Sequence, residues 1–528
     1  MRHHALAAAS LIALAIGVPA AITAQSPDAA ASEQALAERC ESMAWSVAHR
    51  DDVEITSATT IPAGPTEANP FAPSIDLPAY CRVEGMINRR TGAGGKEYGI
   101  GFQLALPLDW NGRYLLQGGG GLNGAVRPAT GPVAAGAEPA LARGFAVASH
   151  DSGHQGQVFD DSFYADQRAA LDFAETSVLT VTQVTRALAE SFYETAPHHS
   201  YMTGCSTGGR EGMLASQRYP ELFDGIVIGA PAMQPGHSNL AIENAQVLLN
   251  ATRPAGETGV ASLTPAELAV VDSELSRQCD AQDGSADGII ANVHACRAFD
   301  ASALQCAPGE SEGCLAPERA EAVRLAMASP RESNGRPIYQ PYPWDTGITF
   351  SGPGLPGFLP VGQGGPLGPP SDARTIDIDQ RIHEVRQEPV GRLTDTAYWT
   401  NLSTYLDRGS KLMFFHGVSD PWFSAFDTWD YFQRAREANG AERWGDAARF
   451  YMVPGMMHCS GGNAFSQFDL LGPMVDWVEN DKAPGAITAS RPDSDAQMPL
   501  CPHPSYAHYT GGAEGAASSY ECRMPQES

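Results

Sequence analysis

Lysine is nearly missing from this chain. In 528 residues only Lys96, Lys411 and Lys482 occur, against a formal net charge of −27. Without clustered cations there is nothing to track a phosphate backbone or an anionic lipid surface, so nucleic-acid and membrane-surface partners are excluded. No two cysteines have the C-x-x-C spacing, which removes zinc ribbons and thioredoxin-type redox sites. No segment recurs at a period of about 20–50 residues, so solenoids and propellers are excluded as well. Beyond the N-terminal two dozen residues no apolar stretch is long enough to span a bilayer. With 43% hydrophobic and only 18% charged residues, disorder is excluded too.

What is present points to a large folded chain, long enough for roughly two to four domains. Its 54 glycines and 39 prolines predict many turns and long loops rather than a helical bundle. Ten cysteines, at 40, 81, 205, 279, 296, 306, 314, 459, 501 and 522, are an even number spread over the whole length. Five disulfides formed in an oxidising compartment are the natural reading. The N-terminus agrees with export. A weakly basic start is followed by an uncharged, alanine-rich stretch from Ala5 to Ala24, expected to be a signal peptide over residues 1–24. A retained membrane anchor is the alternative, but Pro19 and the modest hydrophobicity favour removal. The mature protein is expected to be secreted or periplasmic and free of the membrane.

Along the chain, short apolar runs alternate with helical periodicity. Residues 113–117 and 144–149 read as buried strands, and 168–193 as a helix with apolar residues at mixed three- and four-residue steps. Residues 200–203 read as a strand, 211–218 as a helix, and 225–231, 412–415 and 449–453 as further strands. Strands alternating with helices predict a parallel α/β sheet.

The chemistry is carried by the loops after these strands. Gly204-Cys205-Ser206-Thr207-Gly208 fits G-x-S-x-G in a strand–turn–helix setting. A serine projecting from so tight a turn needs small neighbours, and the next amide, on Thr207, then lies at a helix N-terminus that favours a developing oxyanion. The run Gly118-Gly119-Gly120-Gly121 is either a flexible turn or the second half of an oxyanion hole, with Gly120 the most plausible donor. A serine of ordinary acidity needs a base and an orienting acid, in the chain order Ser, Asp, His for this architecture. Asp420 and His458 lie past consecutive strand candidates and satisfy that order. His150, His154, His237 and His416 are rival histidines, and Asp427 and Asp430 rival acids. What separates His458 is its neighbour Cys459, as Cys205 neighbours Ser206. A bond between these cysteines, with Cα atoms roughly 5.5 Å apart, would hold nucleophile and base side by side.

The Cys205-Ser206, Asp420 and His458-Cys459 signature resembles that of the tannase and feruloyl esterase family of secreted α/β-hydrolases, over nearly the whole chain from about Cys40 to Cys522. The resemblance implies a disulfide-rich α/β-hydrolase fold with a large inserted lid. The hydrolase domain would occupy residues 25–232 and 402–528, and the lid 233–401, with its Gly/Pro-rich part, 351–370, as a long loop over the site. It implies the pairs Cys205–Cys459, Cys40–Cys81, Cys279–Cys296, Cys306–Cys314 and Cys501–Cys522. It also implies a structural Ca²⁺ in the lid, held by the carboxylates of Asp280, Asp283 and Asp287 and the backbone carbonyls of Ser285 and Ile289. Hard Ca²⁺ suits such an oxygen-rich loop, although a solvated turn has the same composition. No organic cofactor is expected.

The resemblance further implies a serine esterase acting on esters of aromatic acids of the feruloyl or galloyl type, free or polymer-linked. Trp344, Trp422 and Phe423 are candidates to pack on the acyl ring. Relatives acting on terephthalate monoesters use a lid arginine for the free carboxylate. This chain has none between Arg336 and Arg374, yet its Asp420-Pro-Trp-Phe-Ser424 is close to theirs, so that activity is the alternative. A non-catalytic phenolic-binding protein and a serine peptidase on the same fold are the contrasting readings.

Overall fold

The protein is described by a computed structural model over residues 27–66, 74–131, 138–349, 371–492 and 494–526. The expected signal peptide, 1–24, and the Gly/Pro-rich loop, 351–370, lie outside the described residues. A nine-stranded sheet forms the centre. Its strands are β1 (Val53–Ile61), β2 (Tyr80–Thr91), β3 (Glu97–Pro107), β4 (Arg113–Gln117), β5 (Ala146–His150), β6 (His199–Cys205), β7 (Gly225–Gly229), β8 (Lys411–Gly417) and β9 (Ala448–Val453). They lie in the order β1-β2-β3-β5-β4-β6-β7-β8-β9. The first three pair antiparallel, as does β3 with β5, and all pairs from β5 onward are parallel.

Period-2 alternation decides what each strand buries. In β8, Leu412 and Phe414 enter one core, and Met413 and Phe415 enter the core on the other face. Both faces are covered, so the parallel strands read as continuous apolar runs rather than alternating ones. Each such side chain stabilises the fold by about 2 kcal/mol through its buried apolar area. One face is covered by α1 (Ser177–Tyr193), α2 (Thr207–Arg218) and α3 (Ala425–Asn439), through residues such as Val181, Leu188, Met213 and Phe432. The other is covered by α4 (Leu471–Asn480) through Leu471, Met474 and Trp477.

Two helices differ from the expectation. The helix expected over 168–193 is broken into Gln167–Leu171, a π-turn at Asp172–Thr176, and α1. A π-turn loosens the regular backbone ladder, and here the carbonyls of Phe173 and Ala174 accept from the buried Arg210 guanidinium at 3.0 Å each. The helix expected from residue 211 begins four residues earlier, at Thr207. Glycines 208 and 209 lower helix propensity, but tertiary packing overrides it.

Between β7 and β8 the chain leaves the sheet, and among the described residues it contributes no strand to it there. Helices Pro235–Ala251, Pro265–Gln278, Pro317–Met327 and Ile378–Gln387 form much of this insertion. It has an apolar core of its own around Val271, Leu275, Leu304, Val323 and Tyr342. Thr264 and Glu267 close a capping box at the start of the second of these helices, with Pro265 at its first position. Cys279–Cys296 and Cys306–Cys314 staple the insertion, while Cys40–Cys81 and Cys501–Cys522 fasten the two ends of the chain.

Candidate active site

The carboxyl ends of β6, β8 and β9 lie on the same side of the parallel sheet, where loops of this architecture gather functional groups. β6 ends at Cys205, and α2 begins at Thr207, leaving Ser206 as the whole connection. Its backbone is at φ 62°, ψ −121°, a conformation that costs a non-glycine residue about 1–3 kcal/mol. Tertiary bonds hold it there. Ser206 N–H donates to Gly229 O at 3.0 Å, and Ser206 O accepts from Arg210 N–H at 2.9 Å and Ala232 N–H at 3.1 Å. Gly208 is obligatory for close approach, since a Cβ there would lie 2.7 Å from the carbonyl oxygen of Gly119.

Asp420 follows β8 and His458 follows β9. His458 Nδ1 lies 2.7 Å from Asp420 Oδ2, with the carboxylate fully buried. The other oxygen, Oδ1, accepts from Trp422 N–H at 2.8 Å and Phe423 N–H at 3.0 Å, which fixes the carboxylate plane. Burial alone would raise the Asp420 carboxyl. The charge of His458 and hydrogen bonds from His416 and His458 outweigh it and hold the group well below the usual carboxylate range. His458 Nε2 is buried and has no hydrogen-bond partner among the described residues. The bond Cys205–Cys459, with Cα atoms 6.0 Å apart, joins the residue before Ser206 to the residue after His458.

The glycine run packs on the start of α2. Gly118 N–H donates to Thr203 O at 2.8 Å, and Gly208 N–H to Gly119 O at 3.0 Å. Thr207 Oγ1 bonds Gly121 O, and Gly119 N–H donates to Glu211 Oε2 at 2.8 Å. Gly119 is therefore committed. The N–H of Thr207, first in its helix, has no intrahelical carbonyl to reach, and Gly120 has open space on its Cβ side.

Of the three aromatic candidates, two meet the histidine. The ring of Trp422 lies 4.6 Å and that of Phe423 5.3 Å from the His458 ring, centroid to centroid. Exposed Phe159 meets Trp422 edge-on at 6.4 Å. Trp344 packs on Phe299 at 4.5 Å, half-buried against the insertion's own core. Four of the six rival groups have other partners, and His237 lies in the first turn of helix Pro235–Ala251. His150 sits 3.7 Å from Glu211, His154 stacks on Phe163, Asp427 accepts from Gln234, and Asp430 pairs with Arg434. His416 is the exception, with Nε2 3.2 Å from Asp420 Oδ2 and Nδ1 2.9 Å from Thr428 Oγ1, so it braces the acid from behind.

The acidic loop lies in the insertion just after helix Pro265–Gln278. Asp280, Asp283 and Ser285 are buried, and Ser285 Oγ has no partner among the described residues. Burial pushes the Asp283 carboxyl up to about 7, with the charges of Asp287 and Asp280 adding to it. Backbone amides of Gly288, Ser285 and Ala291 bond Asp280 and Asp283, and no cationic side chain pairs with the three aspartates among the described residues. Hard oxygens without a cationic partner and an orphaned buried hydroxyl suit a Ca²⁺ ion, although the three carboxylates do not converge within 4.8 Å of one another.

Sequence reasoning missed Arg210, Glu211 and Asp345. Arg210 and Glu211 carried a usable signal, because a charged pair directly after G-C-S-T-G-G interrupts a helix buried on nearly every side. Asp345 carried none. Its Oδ2 accepts from Ser419 Oγ at 2.6 Å and from Gly455 N–H at 2.7 Å, so one insertion residue bridges the loops of Asp420 and His458.

Comparison with known proteins bears on this arrangement. The family described as "Tannase and feruloyl esterase" matches residues 81–353 and 369–523. A mono(2-hydroxyethyl) terephthalate hydrolase from Piscinibacter sakaiensis is 36% identical over 524 residues, covering 85% of each chain. A probable feruloyl esterase B-2 from Aspergillus terreus is 27% identical over 548 residues, covering 94% of this chain and 97% of the relative. The crystal structure of feruloyl esterase B from Aspergillus oryzae aligns with a TM-score of 0.75 at 24% identity, over 92% of this chain and 100% of that one. The latter bears on the fold.

Proposed function

The chain belongs to the tannase and feruloyl esterase family and is a carboxylic ester hydrolase, and from that premise we propose that it cleaves esters of aromatic acids through Ser206, His458 and Asp420. The observation that carries this reading is the 2.7 Å contact of His458 with buried Asp420, on a loop bonded covalently to the turn of Ser206. Ser206 Oγ attacks the ester carbonyl while His458 Nε2, the nitrogen without a partner, takes its proton. Asp420 keeps the proton on Nδ1 and offsets the imidazolium charge. The carbonyl oxygen, now an anion, accepts from the amides of Thr207 and Gly120. Collapse expels the alcohol, protonated by His458, and leaves an acyl-Ser206. Water activated by the same histidine then releases the acid. Trp422 and Phe423, against the His458 ring, offer aromatic surface for the acyl group.

Ser206→Ala should lower kcat on methyl ferulate or methyl gallate by on the order of 10⁴-fold or more. Retained turnover would remove Ser206 from the mechanism. The terephthalate-monoester reading is favoured by the 36% identical relative, and opposed by the missing arginine between Arg336 and Arg374. A comparison of kcat/KM across feruloyl, galloyl and terephthaloyl esters decides between the two. A fluorophosphonate probe that fails to label Ser206 in the folded protein would favour the binding-protein reading instead, and an amide substrate separates esterase from peptidase.

Ca²⁺ belongs to the same proposal, held by Asp280, Asp283 and Asp287 with carbonyls of Ser285 and Ile289. It would neutralise carboxylates in the insertion that lack a cationic partner, and enter no chemical step. Exhaustive chelation should lower the melting temperature while changing activity at low temperature much less. An unchanged melting curve, with no calcium found by elemental analysis, would dispose of the site. The disulfides also support export to an oxidising compartment. No helix among the described residues is long and apolar enough to cross a membrane.

A further inference from the structure

Strand β6 begins at His199 and ends against Ser206, so its seven residues separate the two by about 20 Å. His198 and His199 therefore stand at the end of the sheet remote from the proposed chemistry. His198 Nε2 lies 3.1 Å from the backbone oxygen of Asn111. A carbonyl only accepts, so Nε2 carries the hydrogen and His198 Nδ1 presents a lone pair. That nitrogen lies 2.8 Å from His199 Nδ1, which must supply the proton between them. The geometry is anchored. His198 N–H donates to Gly112 O at 2.9 Å, and a side chain at Gly112, which has φ +82°, would strike the imidazole.

A carboxylate completes the group. Glu479, near the end of α4, receives Arg113 Nε and Nη2 at 2.7 Å each and Tyr201 OH at 2.7 Å. Oε1 accepts from both Arg113 Nε and Tyr201 OH and lies 3.5 Å from His199 Nδ1, so an ion bound at Oε1 takes the position of the Tyr201 hydrogen, which turns away with its rotatable hydroxyl. Among the described residues this is the only group of three or more His, Cys, Asp or Glu whose ligand atoms all lie within 4.8 Å of one another.

We propose that His198 Nδ1, His199 Nδ1 and Glu479 Oε1 form a site for a divalent transition ion, taken here as Zn²⁺, that fastens α4 to the starts of β4 and β6. The 2.8 and 3.5 Å separations bracket the roughly 3.3 Å edge of a tetrahedron built on Zn–N bonds of about 2.0–2.1 Å. The ion takes the place of the shared proton, which moves to Nε2 of His199. The Asn111 carbonyl on His198 and the Arg113 guanidinium on Glu479 supply the outer contacts that orient metal ligands. His198 is exposed, leaving the fourth position to water. Two imidazoles suit Zn²⁺ and not Ca²⁺, which separates this site chemically from the acidic loop. Arg113 places a positive charge beside the ion and weakens it, while the net charge of −27 acts the other way.

The test uses the full mature chain, stripped of metals and returned to excess Ca²⁺ so that the acidic loop is constant. Titration with ZnCl₂ should load a single ion per chain and raise the melting temperature by on the order of 2 °C at saturating zinc. His198→Ala should lose both effects and keep the ester-hydrolysis rate of the parent. Co²⁺ in place of Zn²⁺ should give visible absorption of tetrahedral type in the parent and not in the variant. If His198→Ala melts lower in the absence of metal, His198→Gln serves as the control that keeps side-chain bulk. Equal zinc uptake by parent and variant, or no uptake by the parent, overturns the proposal.

Discussion

At the scale of single residues, Asp345 connects most. It lies 74 residues before Ser419 in sequence, yet its buried carboxylate receives Ser419 Oγ beside Asp420 and Gly455 N–H ahead of His458. The next residue, Thr346, bonds Gly288 O of the acidic loop at 2.9 Å. Neighbouring bonds run the same way, with Tyr342 OH donating to Trp422 O and Ser424 Oγ to Pro341 O. The insertion thus grips the loop that carries the acid. Asp345→Ala would leave three buried donors unpaired, Ser419 Oγ and the amides of Gly455 and Thr346, at about 1–3 kcal/mol each. The two loops would also lose their common tie, and misplacement by about 1 Å costs on the order of 100-fold in rate. We expect kcat to fall about 10–100-fold, with KM within about threefold, at temperatures where the variant is folded. A lower melting temperature with unchanged kcat would reduce Asp345 to a structural residue.

At the scale of elements, the bond between Cys205 and Cys459 spans 254 residues. Closing so long a loop is worth about 5 kcal/mol in the chain-entropy picture. Its position matters more, because it joins the strained turn after β6 to the loop after β9, where Cys459 itself has φ +65°. A paired Cys205→Ala and Cys459→Ala variant should lose kcat even while folded. Full kcat in a folded double variant would show that packing alone aligns the loops. These elements also mark how far the sequence could be read. The strands, the turn at Ser206 and the loops of Asp420 and His458 were legible, because each rests on a local pattern of apolar runs and small residues. The π-turn was not, since its cause is Arg210 reaching from another helix. The contact of Trp344 with Phe299, 45 positions earlier, was likewise out of reach. Glu211 stands out in the sequence as a charge in a buried helix, but its bond to Gly119, across 92 residues, does not.

At the scale of the whole molecule, buried acids set how stability follows pH. Burial pushes Asp151 and Asp427 up to about 7 and Asp345 up to about 6, each satisfied by amide or hydroxyl donors rather than by a salt bridge. Unfolded aspartates titrate near about 3.9. Between about pH 4 and these raised values the folded protein therefore holds protons that the unfolded chain has released, and stability falls as pH rises through the window, by on the order of 3 kcal/mol for each group. Asp420 acts in the opposite sense. Its lowered value contributes stability above about pH 4 that is lost as pH falls further. Glu479, which Arg113 and Tyr201 hold down to about 2 against its burial, behaves alike. Self-repulsion from a net charge of −27 also grows toward neutral pH. The melting temperature should accordingly peak at about pH 4 and decline toward pH 8, and added salt should recover part of the loss at pH 8 by screening. General-base catalysis requires a neutral imidazole, so hydrolysis should be fastest at higher pH than the stability maximum. Melting curves and initial rates collected over one pH series would test both halves, and a melting temperature that is flat or highest above pH 7 would show that the buried acids do not govern it.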